Sequence, residues 1–264
     1  MTETSSPSSL SPVDTIRFSV AAHAAWAPGL ETEAAWLAWA DGKAGIEGDA
    51  EPALSSMPAL LRRRASRTGK MALQAAYDAS AGRSDIPTVF CSRHGECGRS
   101  AELLADLAQH LPLSPTAFSL SVHNATGGLF SIARRDHANS LALAAGHSTI
   151  EHAAIEACGL LADGAPAVLL VANDGPLPAA YQEFADCREQ SFGWAWLLQA
   201  AGADAISLRW SRCAAGDGAD ADTGTDADRT GDPGALQIMR FFLRGDTSLS
   251  RIADSRRWIW SRDA

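Results

Sequence analysis

The sequence predicts an α/β fold: a mainly parallel sheet with helices on both faces, ending in an antiparallel strand pair. Three observations predict it. Short apolar segments alternate with helical stretches through the middle of the chain. Two of those segments, LALAAG and AVLLVAN, are apolar nearly throughout, as strands buried on both faces must be. After residue 190 the alternation stops, and two strand-like segments follow one another across a short AGAD turn.

Taken in order, residues 1–14 are rich in Ser, Pro and Thr and read as a flexible leader. Ile16–Ala22 reads as a first strand and Glu31–Ala40 as a helix. Pro58–Ser80 has the spacing of one amphipathic helix, basic early and Ala-rich late. Strands are predicted at Thr88–Cys91, Ala117–Val122, Ser140–Ala145 and Ala167–Ala172, with helices at Cys97–His110, Thr126–Asp136 and Thr149–Ala162 between them. Ser191–Ala200 and Ala205–Ser211 form the closing pair. Residues 15–211 are therefore one domain, 212–234 an acidic low-complexity linker, and 235–264 a C-terminal extension. In that extension Ala235–Arg244 reads as a helix. Arg256–Arg262 reads as a terminal strand or a docking segment with two exposed tryptophans.

Bulk properties narrow the function. The 264 residues suffice for a real core, and 46% hydrophobic with 20% charged is ordinary globular composition. A formal net charge of −9 argues against nucleic acid, whose phosphates require a concentrated basic surface. No apolar run approaches the roughly 20 residues of a membrane span. The first residues lack a secretory signal, and five cysteines without CxxC spacing read as free thiols. A cytoplasmic location is the expectation. Within the acidic linker, Asp220, Asp222 and Gly224 echo a calcium loop, but the twelfth position is Gly231, which cannot chelate. No metal or cofactor is expected, since no dinucleotide fingerprint, P-loop or zinc spacing occurs.

In an α/β sheet, working residues gather at the carboxyl ends of strands. Three turns qualify. In Cys91–Cys97, Cys97 precedes a helix with His94 nearby, a setting that can activate a thiol. Gly146-His147-Ser148-Thr149-Ile150 resembles a G-x-S-x-G elbow but lacks the last glycine. His152 lies only four residues on, no histidine follows it, and the order Ser–acid–His of such hydrolases cannot be built. The third turn is His123-Asn124-Ala125-Thr126-Gly127-Gly128. Two glycines opening a helix cost about 1 kcal/mol each against alanine, so close packing or the approach of another chain is expected there.

That third segment resembles the active-site turn of the β-ketoacyl synthases, in which a strand delivers a cysteine to the head of a buried helix. Aligning the glycines places Ala125 at the cysteine position. RASRTGKMALQAAYDA, TVFCSRHGE, LALAAGHSTIEHAAIEAC, AVLLVANDGPLP and SFGWAWLLQA resemble further family segments in order and spacing. The resemblance spans about Ile16–Ser211. It is closest to the short ketosynthase-like proteins of aryl polyene and related pigment pathways, which share the S-V-H-N-A wording.

The resemblance implies a thiolase-like fold, first half only. It also implies a chain-length-factor-like subunit that pairs with an active ketosynthase and an acyl carrier protein, without a nucleophile of its own. Condensation needs a thiolate and stabilising groups, usually two histidines of the second half, and the chain has no histidine after His152. By the same analogy Pro115–Val122 pairs across the dimer axis. His123, Asn124, Thr126, Gly127 and Gly128 would line the acyl pocket, unless they only satisfy the turn's backbone. The basic run Arg62, Arg63, Arg64, Arg67 and Lys70 would attract the carrier, unless it is a solvated helix face. The competing expectations are a stand-alone acyl-thioester transferase or hydrolase using His123, Cys97 or Ser148, and a structural homodimer.

Overall fold

The computed structural model describes residues 14–213 and 231–263. The calcium-like positions Asp220, Asp222 and Gly224, and the leader before residue 14, lie outside them.

Sixteen labelled elements follow one another. They are β1 (Asp14–Trp26), α1 (Glu33–Ala40), α2 (Ala59–Arg62), α3 (Arg67–Ser80), β2 (Thr88–Cys91), α4 (Cys97–Ala108), α5 (Pro115–Ser119), α6 (Ala125–Arg134) and β3 (Ser140–Leu143). Then come α7 (Thr149–Ala162), β4 (Val168–Asp174), β5 (Phe192–Ala200), β6 (Ile206–Arg212), α8 (Gly234–Arg244), β7 (Ser248–Ala253) and β8 (Arg256–Arg262). The strands make one sheet in the order β3-β2-β4-β5-β1-β6-β8-β7.

The sheet is mixed. Only β3, β2 and β4 run parallel, and every pairing from β4 to β7 is antiparallel. The closing pair expected from the sequence is split: β5 and β6 are not neighbours, because β1 lies between them and pairs with both. The extension after residue 234 adds α8 and the β7–β8 hairpin, and β8 pairs with β6. β7 was not legible, although SLSRIA alternates as an edge strand should.

Period-2 alternation sorts the central strands into two cores. Along β5, Phe192, Trp194, Trp196 and Leu198 face one cluster, and Ala195 and Leu197 the other. The first core is aromatic, with Phe18, Trp258, Trp260 and Phe241, and is covered by α1, α7 and α8. The second is Ala-rich because α3 lies close on β1, β4 and β5. That approach fixes Gly193: a Cβ there would sit 2.4 Å from the backbone of Met71 and Ala72. The expected exposure of Trp258 and Trp260 is corrected, since both point inward and are wholly buried.

Two further expectations change for local reasons. The single helix over Pro58–Ser80 is broken into α2 and α3, because Ser66 serves as N-cap to α3, its Oγ accepting from Gly69 N at 3.1 Å. The strand expected at Ala117–Val122 is instead α5 and a turn. Ser114 caps it by accepting from Ala117 N at 3.2 Å, and Pro115 takes the first helical position, where its missing N–H costs nothing.

Candidate functional site

The carboxyl ends of β2, β3 and β4 meet at one edge, and their turns build the site. At the end of β4, Asp174 collects three donors of the β2 turn: Ser92 Oγ at 2.6 Å, Arg93 N at 3.0 Å and His94 N at 3.2 Å. Ser92 Oγ in turn accepts from Gly95 N at 2.7 Å. His123 reaches the same turn, its Nε2 donating to the Ser92 carbonyl at 2.8 Å. The ring lies 2.6 Å from where a Gly95 Cβ would stand, and Gly95 has φ +54°, so only glycine fits.

His123 thus satisfies backbone at a turn. Asn124 precedes α6 without a side-chain cap, and Thr126 donates to Glu96 Oε1 at 3.2 Å. Gly127 explains itself by packing, since its Cβ would come 3.1 Å from the Phe90 ring and 3.3 Å from Ser140 Oγ. Gly128 has open space beside it.

Ala125 heads α6, but no strand leads into it: α5 and a turn do. Its placement at a strand-delivered nucleophile position is therefore corrected. The strand, turn and buried helix of that kind occur in β3, Gly146-His147-Ser148 and α7, whose Thr149, Ile150, Glu151, Ala153, Ala154 and Ala157 are buried. The residue at the tip of this elbow is His147. The glycine alignment misled because HNATGG and GHSTI both follow short apolar segments, and only the second segment is a strand.

The elbow is held from three sides. Gly146 takes φ +56°. Ser148, fully buried, donates from both N (2.8 Å) and Oγ to Asp254 in the β7–β8 turn. The half-exposed His147 ring sits between two carboxylates, with Nε2 2.7 Å from Asp186 and Nδ1 3.5 Å from Asp254. Arg93 clamps Asp186 with two hydrogen bonds of 2.9 and 2.7 Å. Burial pushes the Asp186 carboxyl up, but the hydrogen bonds and charge of Arg93, with His147 adding to them, hold it at about 2. Asp254 is likewise lowered: burial opposes ionisation and the Ser148 donors outweigh it.

Beneath the elbow, the buried Glu151 pairs with Arg251, which also donates to the His147 carbonyl at 3.3 Å. Trp260 Nε1 completes the cluster on Glu151 at 3.3 Å. Asp186, Asp254 and Arg251 carried no sequence signal, because they come from a loop and a hairpin far along the chain.

A crevice of about 580 Å³ adjoins the β2 and β4 turns. Ser66, Arg67, His94, Glu96, Cys97 and Leu177 are among its walls, so polar and apolar groups both line it. Glu96 is fully used, accepting from Ser66 Oγ at 2.8 Å and pairing with Arg99 at 3.1 Å. Burial, with Glu189 adding to it, pushes the Cys97 thiol up, against the activated thiol considered from sequence. Ser148 Oγ has no histidine on it; His152 Nδ1 donates to the Ser148 carbonyl at 2.9 Å instead. Of the basic run, Arg62 is tied to the carbonyls of Ala53 and Leu54, Arg67 to Gly48 O, and Lys70 to Glu51. Arg63 and Arg64 are exposed, and their side chains bind nothing among the described residues. No described group of three His, Cys, Asp or Glu residues could hold a metal, and no described helix is long and apolar enough to cross a membrane.

The helices α4, α5 and α6 and the turns between them leave large apolar side chains open to solvent, and α6 packs against β3. Leu104 and Leu107 of α4, Leu111 and Leu113 after it, Phe118 of α5, Val122 and Ile132 of α6 are all exposed, Phe118 by 66% and Ile132 by 63%. β3 forms the sheet edge on this side, with Ser140 and Ala142 exposed.

A search of curated protein sequences finds no match. Among solved structures, the chain is similar to a ketosynthase in complex with its chain length factor from Xenorhabdus doucetiae, at 25% identity and a TM-score of 0.76, over 94% of this chain and 100% of that one. The ishigamide ketosynthase/chain length factor matches at 13% identity and TM-score 0.66, over 93% and 98% of the two chains. A β-ketoacyl synthase from Burkholderia phymatum shares the fold at 13% identity and TM-score 0.55, over 79% of this chain and 61% of that one. The family model of the β-ketoacyl synthase N-terminal domain matches residues 36–261. With the sheet order, the elbow and that match agreeing, the chain belongs to the β-ketoacyl synthase N-terminal domain family, as a thiolase-like fold of the first half alone.

Proposed function

We propose that this chain is a chain-length-factor-like subunit: it pairs with an active β-ketoacyl synthase, does not condense substrate itself, and forms one wall of the acyl site. The observation that carries the reading is the apolar face from Leu104 to Ile132 beside the open edge of β3. Seven large apolar side chains in water, together with a strand whose outer edge is unpaired, mark a surface that a protein partner would cover. The elbow lies at the end of that strand, so the partner that pairs with β3 also meets His147. The similar Xenorhabdus structure is itself a ketosynthase with its chain length factor, which favours a partner of the same kind.

The elbow chemistry supports a non-condensing role. His147 at the tip supplies no thiol, its ring is engaged by Asp186 and Asp254, and residues 153–264 contain no histidine. Aryl polyene synthesis in the cytoplasm is the pathway class this reading favours. The carrier-facing residues are Arg63 and Arg64 rather than the whole basic run, because the other cations are spent within the chain. Reversing both to Glu is expected to weaken carrier-dependent synthesis a few-fold and flatten its salt dependence, measured as KM for the acyl carrier protein at two ionic strengths. No specific observation favours the stand-alone transferase or hydrolase.

The test is co-expression with a ketosynthase encoded beside this chain, with the complex mass read by light scattering on a sizing column. A one-to-one heterodimer is expected. A monodisperse chain that ignores the ketosynthase, or one that turns over acyl thioesters alone, would remove the reading.

A further inference from the structure

Behind the crevice lies a separate cavity of about 10 Å³, walled by Arg93, His94, Asp174, Cys187, Glu189 and Gln190. Two of its walls carry buried polar atoms without a hydrogen bond: Arg93 Nε, an N–H donor, and Glu189 Oε1, a carboxylate acceptor whose nearest ionic neighbour is His94 Nε2 at 3.4 Å. The Glu189 side chain is 6% exposed and that of Arg93 15%. The rest of each group is committed. Glu189 Oε2 accepts from Leu177 N at 2.8 Å, and both terminal nitrogens of Arg93 hold Asp186. Orphaned buried groups of this kind cost on the order of 1–3 kcal/mol each, more when charged.

We propose that an ordered water molecule occupies this cavity, accepting from Arg93 Nε–H and donating to Glu189 Oε1. The chemistry leaves few choices. An anion would face the Glu189 carboxylate and a cation the Arg93 guanidinium. Only a molecule that both accepts and donates satisfies the pair, and the volume admits one water and nothing larger. Its second proton has Asp174 within the same walls. The water would bind the loop that carries Asp186 and Glu189 to the end of β2. His147 is thereby kept against Asp186, so the elbow described above rests on it. The inference stands whether or not the chain pairs with a ketosynthase.

A crystal structure of the full chain at about 1.8 Å or better decides the matter. The expected result is one spherical solvent peak within about 3.2 Å of both Arg93 Nε and Glu189 Oε1, with a displacement parameter like that of its neighbours. A cavity without density, or the two atoms bonded to protein groups instead, would overturn the proposal. Oxygen-17 relaxation dispersion in solution gives an independent reading. Glu189→Gln keeps a hydrogen-bonding group there and should retain the long-lived water, whereas Glu189→Met should lose one such water. An equal count in wild type and Glu189→Met also overturns it.

Discussion

The two edges of the sheet are built on opposite plans. At the β7 edge the chain closes its own core. Trp258 and Trp260 of β8 turn inward onto Trp196, Phe18 and Trp210, and α8 covers them with Phe241 and Phe242. The edge strand itself shows Ser248 and Ser250 to water, with Ile252 its one exposed large apolar residue. On the β3 side, α4, α5, α6 and the turns between them leave leucines, a valine, an isoleucine and a phenylalanine uncovered. Tryptophans are placed where the chain can bury them unaided, whereas the open side is mostly aliphatic, with Phe118 its one exposed aromatic among the described residues. The difference teaches which edge covers its own core and which leaves apolar side chains open, where the proposed partner would dock.

The comparison can be broken from either side. The largest effect is expected at the finished edge. Trp260→Ala empties a wholly buried site and also frees the Glu151 carboxylate, so a loss of about 3–5 kcal/mol should appear in urea unfolding of the isolated chain. Leu107→Ala on the open face should stay within about 0.5 kcal/mol in the same assay. Equal losses would erase the contrast.

Next, paired Leu107→Asp and Phe118→Asp should weaken ketosynthase binding by roughly 100-fold or more, because two carboxylates would be stripped of water in the interface. Ile252→Asp at the other edge should change it less than about 2-fold, both read by calorimetric titration. The reverse pattern would move the interface to β7.

A smaller effect concerns acid. The Asp186 carboxyl is held at about 2, below its unfolded value near 3.8. A depressed folded pKa contributes stability that is fully present above about pH 4 and is lost as pH falls through about 2. With partial solvent screening of a side chain 30% exposed, that contribution is about 1–2 kcal/mol. Asp186→Asn should therefore lower stability at pH 6 but bring little change at pH 2, measured as denaturation midpoints. The smallest expected effect is none. His147→Cys, like Ala125→Cys, should leave the isolated chain without condensing activity in a mass-spectrometric assay, because a thiol alone supplies neither oxyanion nor enolate stabilisation.

Legibility followed how local each cause was. β2 at Thr88–Cys91, α7 at Thr149–Ala162 and β8 at Arg256–Arg262 stand where the sequence pattern placed them, since each carries its own period and flanking breaks. Residues 115–122 did not, because Phe-Ser-Leu-Ser-Val alternates like a strand while the Ser114-Pro115 cap makes a helix; the cap was the signal to weigh. In sequence the elbow at Gly146–Ile150 reads both as an incomplete G-x-S-x-G motif and as part of LALAAGHSTIEHAAIEAC, a segment resembling the ketosynthase family. Its true setting depends on Asp186 and Asp254, which no local window contains. The insertion of β1 between β5 and β6 was equally hidden, being a choice among strand partners far apart in sequence.

That insertion governs how the protein must be made. β1 leaves the ribosome well before its partners, since both of its neighbours belong to Phe192–Arg212. At roughly 5–20 residues per second, its two unpaired edges wait on the order of ten seconds or more before either partner exists. During that interval a 13-residue strand offers a template to any other nascent chain. Slower translation or a smaller chaperone supply is therefore expected to lower the folded yield without changing the stability of the finished sheet.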